Sequence, residues 1–353
     1  MTRESIPSSH ALLPPAATLA SFEQWLPDAL DGWTAPTAFT LIAGGRSNVT
    51  LLATDAREQR VVLRMPPPGT LLATAHDVVR EARIIDSLRD AVPVPRVLAT
   101  DADGGVAGAP FAAFEFVEGA VLRGSAAAGE ATPAARAAAG YSLVDALAAL
   151  HALSPQELGL SDLVREGDYV GRQLRRWTRQ MTSGGGRHRD VLVALGERVG
   201  RAVPPQHHVA LVHGDPKLDN CILSQDGTLR AIVDWELSAV GDPLADVALM
   251  IAYWAEPGDR HTALQDPPTR VPGFATRQEL LDRYAAASGR DLAAIGSYLA
   301  FSYWKLACIV AGVVDRSERD GSMDSVASER FHRQVQRLAD LTEQALDSAA
   351  GLP

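Results

Sequence analysis

Apolar residues recur along this chain with two different periods, and the period changes near residue 118. Phe22, Trp25, Leu26 and Leu30 fall at helical spacing with Gly32 behind them, which predicts a short amphipathic helix from near Leu19. The residues before it, 1 to about 20, are rich in Pro, Ser and Ala without a period and read as a flexible leader. Three β-like runs follow, at 39–43, 49–54 and 60–65. Gly-Gly-Arg-Ser-Asn and a polar turn at 55–59 separate them, so an antiparallel meander is expected. Asp77 is placed to cap a helix carrying Val78, Ile84, Ile85 and Leu88, and Pro93-Val94-Pro95 breaks the chain before two more apolar runs near 96–100 and 111–117.

After Glu118-Gly119 the pattern turns helical, with stretches at about 132–153, 168–182, 188–202, 242–255, 276–288, 291–314 and 324–348. The alanine-biased segment 124–140 reads as a loop entering the first of these. One β island interrupts the helices, at 209–212, 222–223 and 229–233, with Gly227 as a turn. The expected organisation is therefore a leader over 1–20, a first lobe over 21–118 and a mainly helical second lobe over 119–353.

Composition narrows the function. The chain has 353 residues, 46% of them hydrophobic, enough to bury a substantial core. A formal net charge of −10 works against nonspecific attraction to nucleic acid or an anionic membrane, so neither is an expected partner. The two cysteines, Cys221 and Cys308, are far apart and signal neither a disulfide framework nor a zinc site. The N-terminal residues carry an acid and prolines where an export signal needs a positive and then an apolar region, and apolar runs such as 306–314 reach about half a bilayer-spanning length. A cytoplasmic location is expected.

The residues with chemical promise cluster in the β island: His213-Gly214-Asp215-Pro216-Lys217-Leu218-Asp219-Asn220, and then Asp234 in Ile-Val-Asp-Trp-Glu. Phosphoryl transfer from ATP needs a carboxylate to orient the acceptor hydroxyl, a cation on the phosphates and hard oxygen ligands for magnesium. Asp215 suits the first role and Lys217 the second. Asn220 and Asp234 suit the third, since magnesium keeps part of its water shell and takes few protein ligands. His213 reads as a brace of the loop. Asp242 and Asp246 read as a helix cap and a brace, and Asp219 and Glu236, close in sequence to the metal residues, have two readings, contact with substrate or a second ion, or a solvated or structural role. Trp177, Trp254, Trp304 and His151 fit helical core positions, and Gly184–Gly186 fits a link between helices.

HGDPKLDN and IVDWELSAVGDPLADVA together resemble the catalytic loop and metal-binding segment of the aminoglycoside phosphotransferase and choline kinase group, which shares the protein-kinase fold. Within that group GGRSNVT, VVLRMPPPGTLLATAHDVVREARII, VPVPRVL and FAAFEFVEG resemble the kinase-like domain fused to some acyl-CoA dehydrogenases, over about 39–335. The resemblance implies an α+β, two-lobed protein-kinase-like fold, with a small antiparallel β lobe that binds nucleotide and a larger helical lobe. It implies ATP and Mg2+ as cofactors, with Ser47 and Asn48 in the loop over the phosphates, Arg64 and Glu81 as the pair that positions ATP, and Glu115 and Val117 in the adenine-contacting hinge. Arg64 stands where protein kinases use Lys, and Gly214 where they use Arg. The expected partner is a small-molecule hydroxyl acceptor, a hydroxyacyl-CoA-like metabolite or else an aminoglycoside or other antibiotic. A nucleotide-binding pseudokinase without turnover is the alternative from another class. Oligomeric state has no signal in the sequence.

Overall fold

The computed structural model describes residues 13–43, 48–67, 77–184 and 186–348. Ser47, the one site residue expected from sequence that falls elsewhere, lies outside the described residues. The chain divides into two units, residues 1–118 with 231–236, and residues 119–230 with 237–353. The short segment 231–236, expected with the second lobe, groups with the first.

In the first unit α1 (Ala16–Ala29) starts a little before the predicted position, because Pro15 caps it with its carbonyl, which accepts from the N–H groups of Thr18 and Leu19. Five strands follow: β1 (Ala38–Ala43), β2 (Val49–Thr54), β3 (Arg60–Met65), β4 (Val97–Asp101) and β5 (Phe111–Glu115). They form one sheet in the order β1-β2-β3-β5-β4, every neighbouring pair antiparallel. The period-2 pattern decides which side chains go where. Val49, Leu51 and Ala53 of β2 and Val61, Leu63 and Met65 of β3 join Phe22, Leu26 and Phe111 in one buried apolar cluster. Phe22 and Trp25 both meet the Phe111 ring edge-on, with centroids 4.9 and 5.0 Å away, a favoured aromatic geometry. Arg64, one residue out of that register, points to the other face. There α2 (Val78–Leu88) packs beside β4 and β5 and starts on the Asp77 side chain, which accepts from the Arg80 N–H.

The second unit holds α3 (Gly124–Glu130), α4 (Pro133–Ala152), α5 (Tyr169–Gly184), α6 (Arg189–Ala202), α7 (Pro243–Tyr253), α8 (Arg277–Ser288), α9 (Ile295–Asp320) and α10 (Ser325–Asp347). Between α6 and α7 lie β6 (Ala210–Val212), β7 (Cys221–Leu223), β8 (Leu229–Ile232), whose end runs into the first unit, and β9 (Ala239–Gly241). β6 pairs with β9 and β7 with β8. Three features depart from the sequence reading. The alanine-rich segment forms a short helix, α3, and only then breaks at Thr132-Pro133, where the Thr132 hydroxyl caps α4. β9 has three residues, too few to show a period, and exists through its pairing with β6. α9 runs six residues beyond 314, to a left-handed cap at Gly321 that suits glycine. α9 is long and apolar enough to cross a membrane by length and composition, but 78% of its most apolar window is buried in the fold, as in the core helix of a globular domain. Cys221 and Cys308 are both free and buried.

Phe22 is fully buried at the centre of the first unit's apolar cluster. Phe22→Ala should lower stability by about 3–5 kcal/mol, read as a fall in the denaturant midpoint at unchanged slope.

Candidate active site

The candidate residues fall on both units, and each half has a geometry of its own. In the second unit β6 delivers the chain to His213, and the turn that follows is held from below by one carboxylate. Asp246, in α7, accepts the His213 N–H at 2.6 Å and the Gly214 N–H at 2.8 Å. Its side chain also meets His151 Nε2 at 3.4 Å, and His151 Nδ1 lies 2.8 Å from the Tyr284 hydroxyl. Burial pushes the Asp246 carboxyl up, but the bond from His151, the histidine charges and the Gly214 N–H outweigh it and hold it below the usual carboxylate value. Asp242 caps α7 by accepting the Leu244 N–H at 3.0 Å and takes the Tyr298 hydroxyl at 2.6 Å. Both acids brace the structure, as their helix-start sequence suggested.

Gly214 has φ +87°, and a Cβ there would lie 2.5 Å from the Leu237 carbonyl oxygen, so both the turn and the space demand glycine. Its carbonyl faces the Lys305 ammonium at 3.5 Å. Lys305 is 8% exposed on α9. Burial draws its pKa down, while Asp215 and Asp246 act the other way and Arg176 adds to the lowering. His213 is wholly buried, and its Nδ1 accepts the Asp215 N–H at 3.2 Å, which keeps the imidazole in a bracing role.

Asp215 emerges from this turn with both oxygens engaged. Lys217 Nζ lies 2.8 Å from Oδ2, Asn220 Nδ2 donates to Oδ2 at 3.2 Å, and the Tyr253 hydroxyl donates to Oδ1 at 2.6 Å. Burial would raise this carboxyl, but the Lys217 charge and the Lys217 and Tyr253 hydrogen bonds prevail and keep it below its ordinary value. Asn220 also donates to the Asp215 carbonyl at 2.9 Å, so its amide nitrogen is committed and its oxygen is the polar atom left for a ligand. The structure thus brings Asp215, Lys217 and Asn220 together.

In the first unit Arg64 is the hub. Its Nε lies 2.8 Å from Glu81 Oε2, and its Nη2 lies 2.6 Å from Asp234 Oδ1 and 3.3 Å from Glu236 Oε2. Asn48 donates to the same Glu236 oxygen at 3.3 Å. Glu81, 1% exposed, also accepts the Trp235 N–H at 3.1 Å, tying α2 to the Asp234 segment. Burial raises the Glu81 carboxyl to about 7; Arg64 opposes that, and Asp234 and Glu236 add to it. One guanidinium therefore faces three carboxylates. Asp234 has φ +69°, a conformation rare outside glycine and frequent at functional sites. Its Oδ1 is taken by Arg64. Among the described residues no three His, Cys, Asp or Glu side chains form a metal cage, whereas magnesium needs one or two hard oxygens beside phosphate. The Asp234 carboxylate and the Asn220 amide oxygen fit that donor chemistry. Glu115 is turned to Arg96, whose N–H it accepts at 3.0 Å, and Val117 follows β5 half-buried.

Comparison with known proteins matches residues 38–298 to the model of the Phosphotransferase enzyme family. The chain belongs to that family. It is 31% identical over 313 residues to mouse acyl-CoA dehydrogenase family member 10, covering 87% of this chain and 29% of that protein. Human acyl-CoA dehydrogenase family member 11 is 32% identical over 331 residues, 91% of this chain and 42% of that protein. The phosphotransferase chain thus spans less than half the length of these curated relatives. Among solved structures, a protein from Ralstonia eutropha assigned as an aminoglycoside phosphotransferase superposes with TM-score 0.77 at 26% identity, over 95% of this chain and 99% of that one. The choline kinase of Cryptosporidium parvum gives TM-score 0.58 at 13% identity over 93% and 96%, a likeness of fold. The fold is the α+β, kinase-like one, and the enzyme class is that of a phosphotransferase.

Two residues that hold the His213–Asn220 turn, Tyr253 and Lys305, escaped the sequence reading. Tyr253 had a signal. It follows Asp246 by seven positions on one helix, two turns on, so both lie on the same face. Lys305 had none, being one lysine inside an apolar helix.

Two outcomes follow from this geometry. Gly214→Ala should lower thermal stability, since an added Cβ would lie 2.5 Å from the Leu237 carbonyl oxygen at a positive φ; wild-type melting would count against the close approach. The second concerns pH. The folded Glu81 carboxyl titrates at about 7 against an ordinary 4.5, so its neutral form favours the fold and that contribution is lost as pH rises through this window. Denaturant unfolding at a series of pH values should therefore show Glu81→Gln gaining on wild type between about pH 4.5 and 7.

Proposed function

We propose that this chain transfers the γ-phosphate of ATP, with magnesium, to a hydroxyl of a hydroxyacyl-CoA-like metabolite. The observation that carries the kinase part is the half-buried Asp215 carboxylate, held ionised and paired to Lys217 in one short turn. A carboxylate kept ionised can accept the acceptor's proton. As the acceptor oxygen bonds to phosphorus, the bond from phosphorus to the ADP oxygen breaks, ADP leaves with that electron pair, and the proton passes to Asp215. Lys217 offsets the charge spread over the transferring phosphoryl.

Magnesium would be held by Asp234 and the Asn220 amide oxygen, and it would neutralise phosphate charge. Excess negative charge around Arg64 supports a cation in this reading, because three carboxylates share one guanidinium. Arg64 and Glu81 would position the nucleotide phosphates, with Asn48 and Ser47 near them and Glu115 and Val117 beside the base. Arg64 suits phosphate through its planar fork. A pseudokinase is the poorer account, since every catalytic role has a residue and the Asp215, Lys217 and Asn220 geometry is formed.

The acceptor rests on two supports. The relatives named for acyl-CoA dehydrogenases cover nearly all of this chain. In addition α5 carries Arg172, Arg175, Arg176 and Arg179, and the Arg176 charge is felt at Lys305 beneath the catalytic turn. Cations there suit an anionic thioester of coenzyme A better than a polycationic drug. A second reading, an antibiotic kinase, is favoured by the likeness to the Ralstonia eutropha protein.

Magnesium-dependent ADP release measured against hydroxyacyl-CoAs, free hydroxy acids, aminoglycosides, macrolides and choline tests this directly. Stimulation by hydroxyacyl-CoAs is expected; stimulation by an aminoglycoside or macrolide alone would establish the second reading. Asp215→Ala should remove transfer with nucleotide binding kept, and Asp234→Ala should weaken binding only where magnesium is present. Wild-type turnover in either variant would end the role assignment.

A further inference from the structure

Asp215 has four lone-pair positions for donors, and the structure fills three of them unevenly. Oδ2 accepts from Lys217 at 2.8 Å and from Asn220 at 3.2 Å. Oδ1 accepts from the Tyr253 hydroxyl alone, at 2.6 Å. The open position is therefore on Oδ1, beside the phenol. We propose that Asp215 Oδ1 is the oxygen that takes the acceptor's proton, and that Tyr253 is a positioning residue that fixes this oxygen and lies next to the bound acceptor. The inference rests on the kinase reading and adds to it one oxygen and one residue.

The support for Tyr253 is structural on two sides. It closes α7, the helix whose Asp246 grips the His213 and Gly214 N–H groups, so one rigid helix holds both the base of the loop and its catalytic tip. Lys217 Nζ lies 5.6 Å from the centre of the Tyr253 ring, within cation–π range, so the same side chain also borders the cation of the pair. The phenol keeps its proton: burial and the Asp215 charge push its ionisation far above the ordinary tyrosine value, so it acts as a donor and does not compete for the acceptor's proton. Removing the hydroxyl would leave Oδ1 with two open positions and no fixed direction for an incoming hydroxyl.

The test is Tyr253→Phe in the full chain, with Mg·ATP and hydroxyacyl-CoAs as acceptors, and with water as the acceptor in the slow background reaction. A lost hydrogen bond to a charged acceptor predicts a kcat lower by roughly ten- to hundredfold. KM for ATP and the thermal midpoint should stay at wild-type values, a split that a general loss of structure would not give. Independently of any acceptor, the proton of so short an O–H···O bond should give a slowly exchanging downfield NMR resonance, present in wild type and absent in Tyr253→Phe. Wild-type kcat in the variant, or no such resonance in wild type, overturns the inference and leaves the kinase reading standing. If no compound stimulates the wild type, the kinase reading itself has failed and the inference falls with it.

Discussion

A single buried carboxylate organises the second unit. Asp246 accepts two consecutive backbone N–H groups, those of His213 and Gly214, at a turn whose glycine has a positive φ. A buried carboxylate is costly unless its lone pairs are filled, and here backbone donors and His151 fill them. The bargain works in both directions: the acid is tolerated only because the turn supplies donors, and the turn is held only because the acid is there. Lys305 under the Gly214 carbonyl and Tyr298 on Asp242 extend the same network to α9. Asp215 inherits its direction from this brace.

The first unit is built around the opposite problem, too much negative charge around one cation. Arg64 leaves the apolar face of β3 by one residue of register and meets Glu81 from α2 and the Asp234 and Glu236 carboxylates. Burial and the neighbouring acids raise Glu81, the response expected when a guanidinium cannot satisfy three carboxylates at once. Such a cluster is a poor device for stability. It is well suited to receive a cation bound to phosphate, which is why it supports the nucleotide reading more than the bare presence of a strand-to-helix ion pair would.

Much of this was legible along the chain. The strands 49–54 and 60–65 were legible as apolar runs joined by a polar turn, an antiparallel meander, whereas the alternation of buried and half-buried residues along them belongs to the folded sheet. α2 followed from Asp77 and the spacing of Val78, Ile84, Ile85 and Leu88. The spacing of Asp215, Lys217 and Asn220 within one turn already implied that they meet, because a short loop leaves these side chains few ways to avoid one another. Harder to see were the elements that exist only through a partner. β9 is three residues long and has no period to find, and α3 hides in an alanine run whose glycines and single proline argue for a loop.

Local order, the type of each long element, and the residue types of the His213–Asn220 turn were determined by the sequence itself, since they depend on spacings of a few positions. Tertiary structure alone decided which distant side chains meet: Tyr253 on Asp215 from 38 residues away, Asp246 under Gly214 from 32, Lys305 beneath the same glycine from 91, and Glu236 on Arg64 from 172. Hydrogen bonds and charges act over a few ångströms of space, and a one-dimensional pattern records that nearness only when both partners share an element.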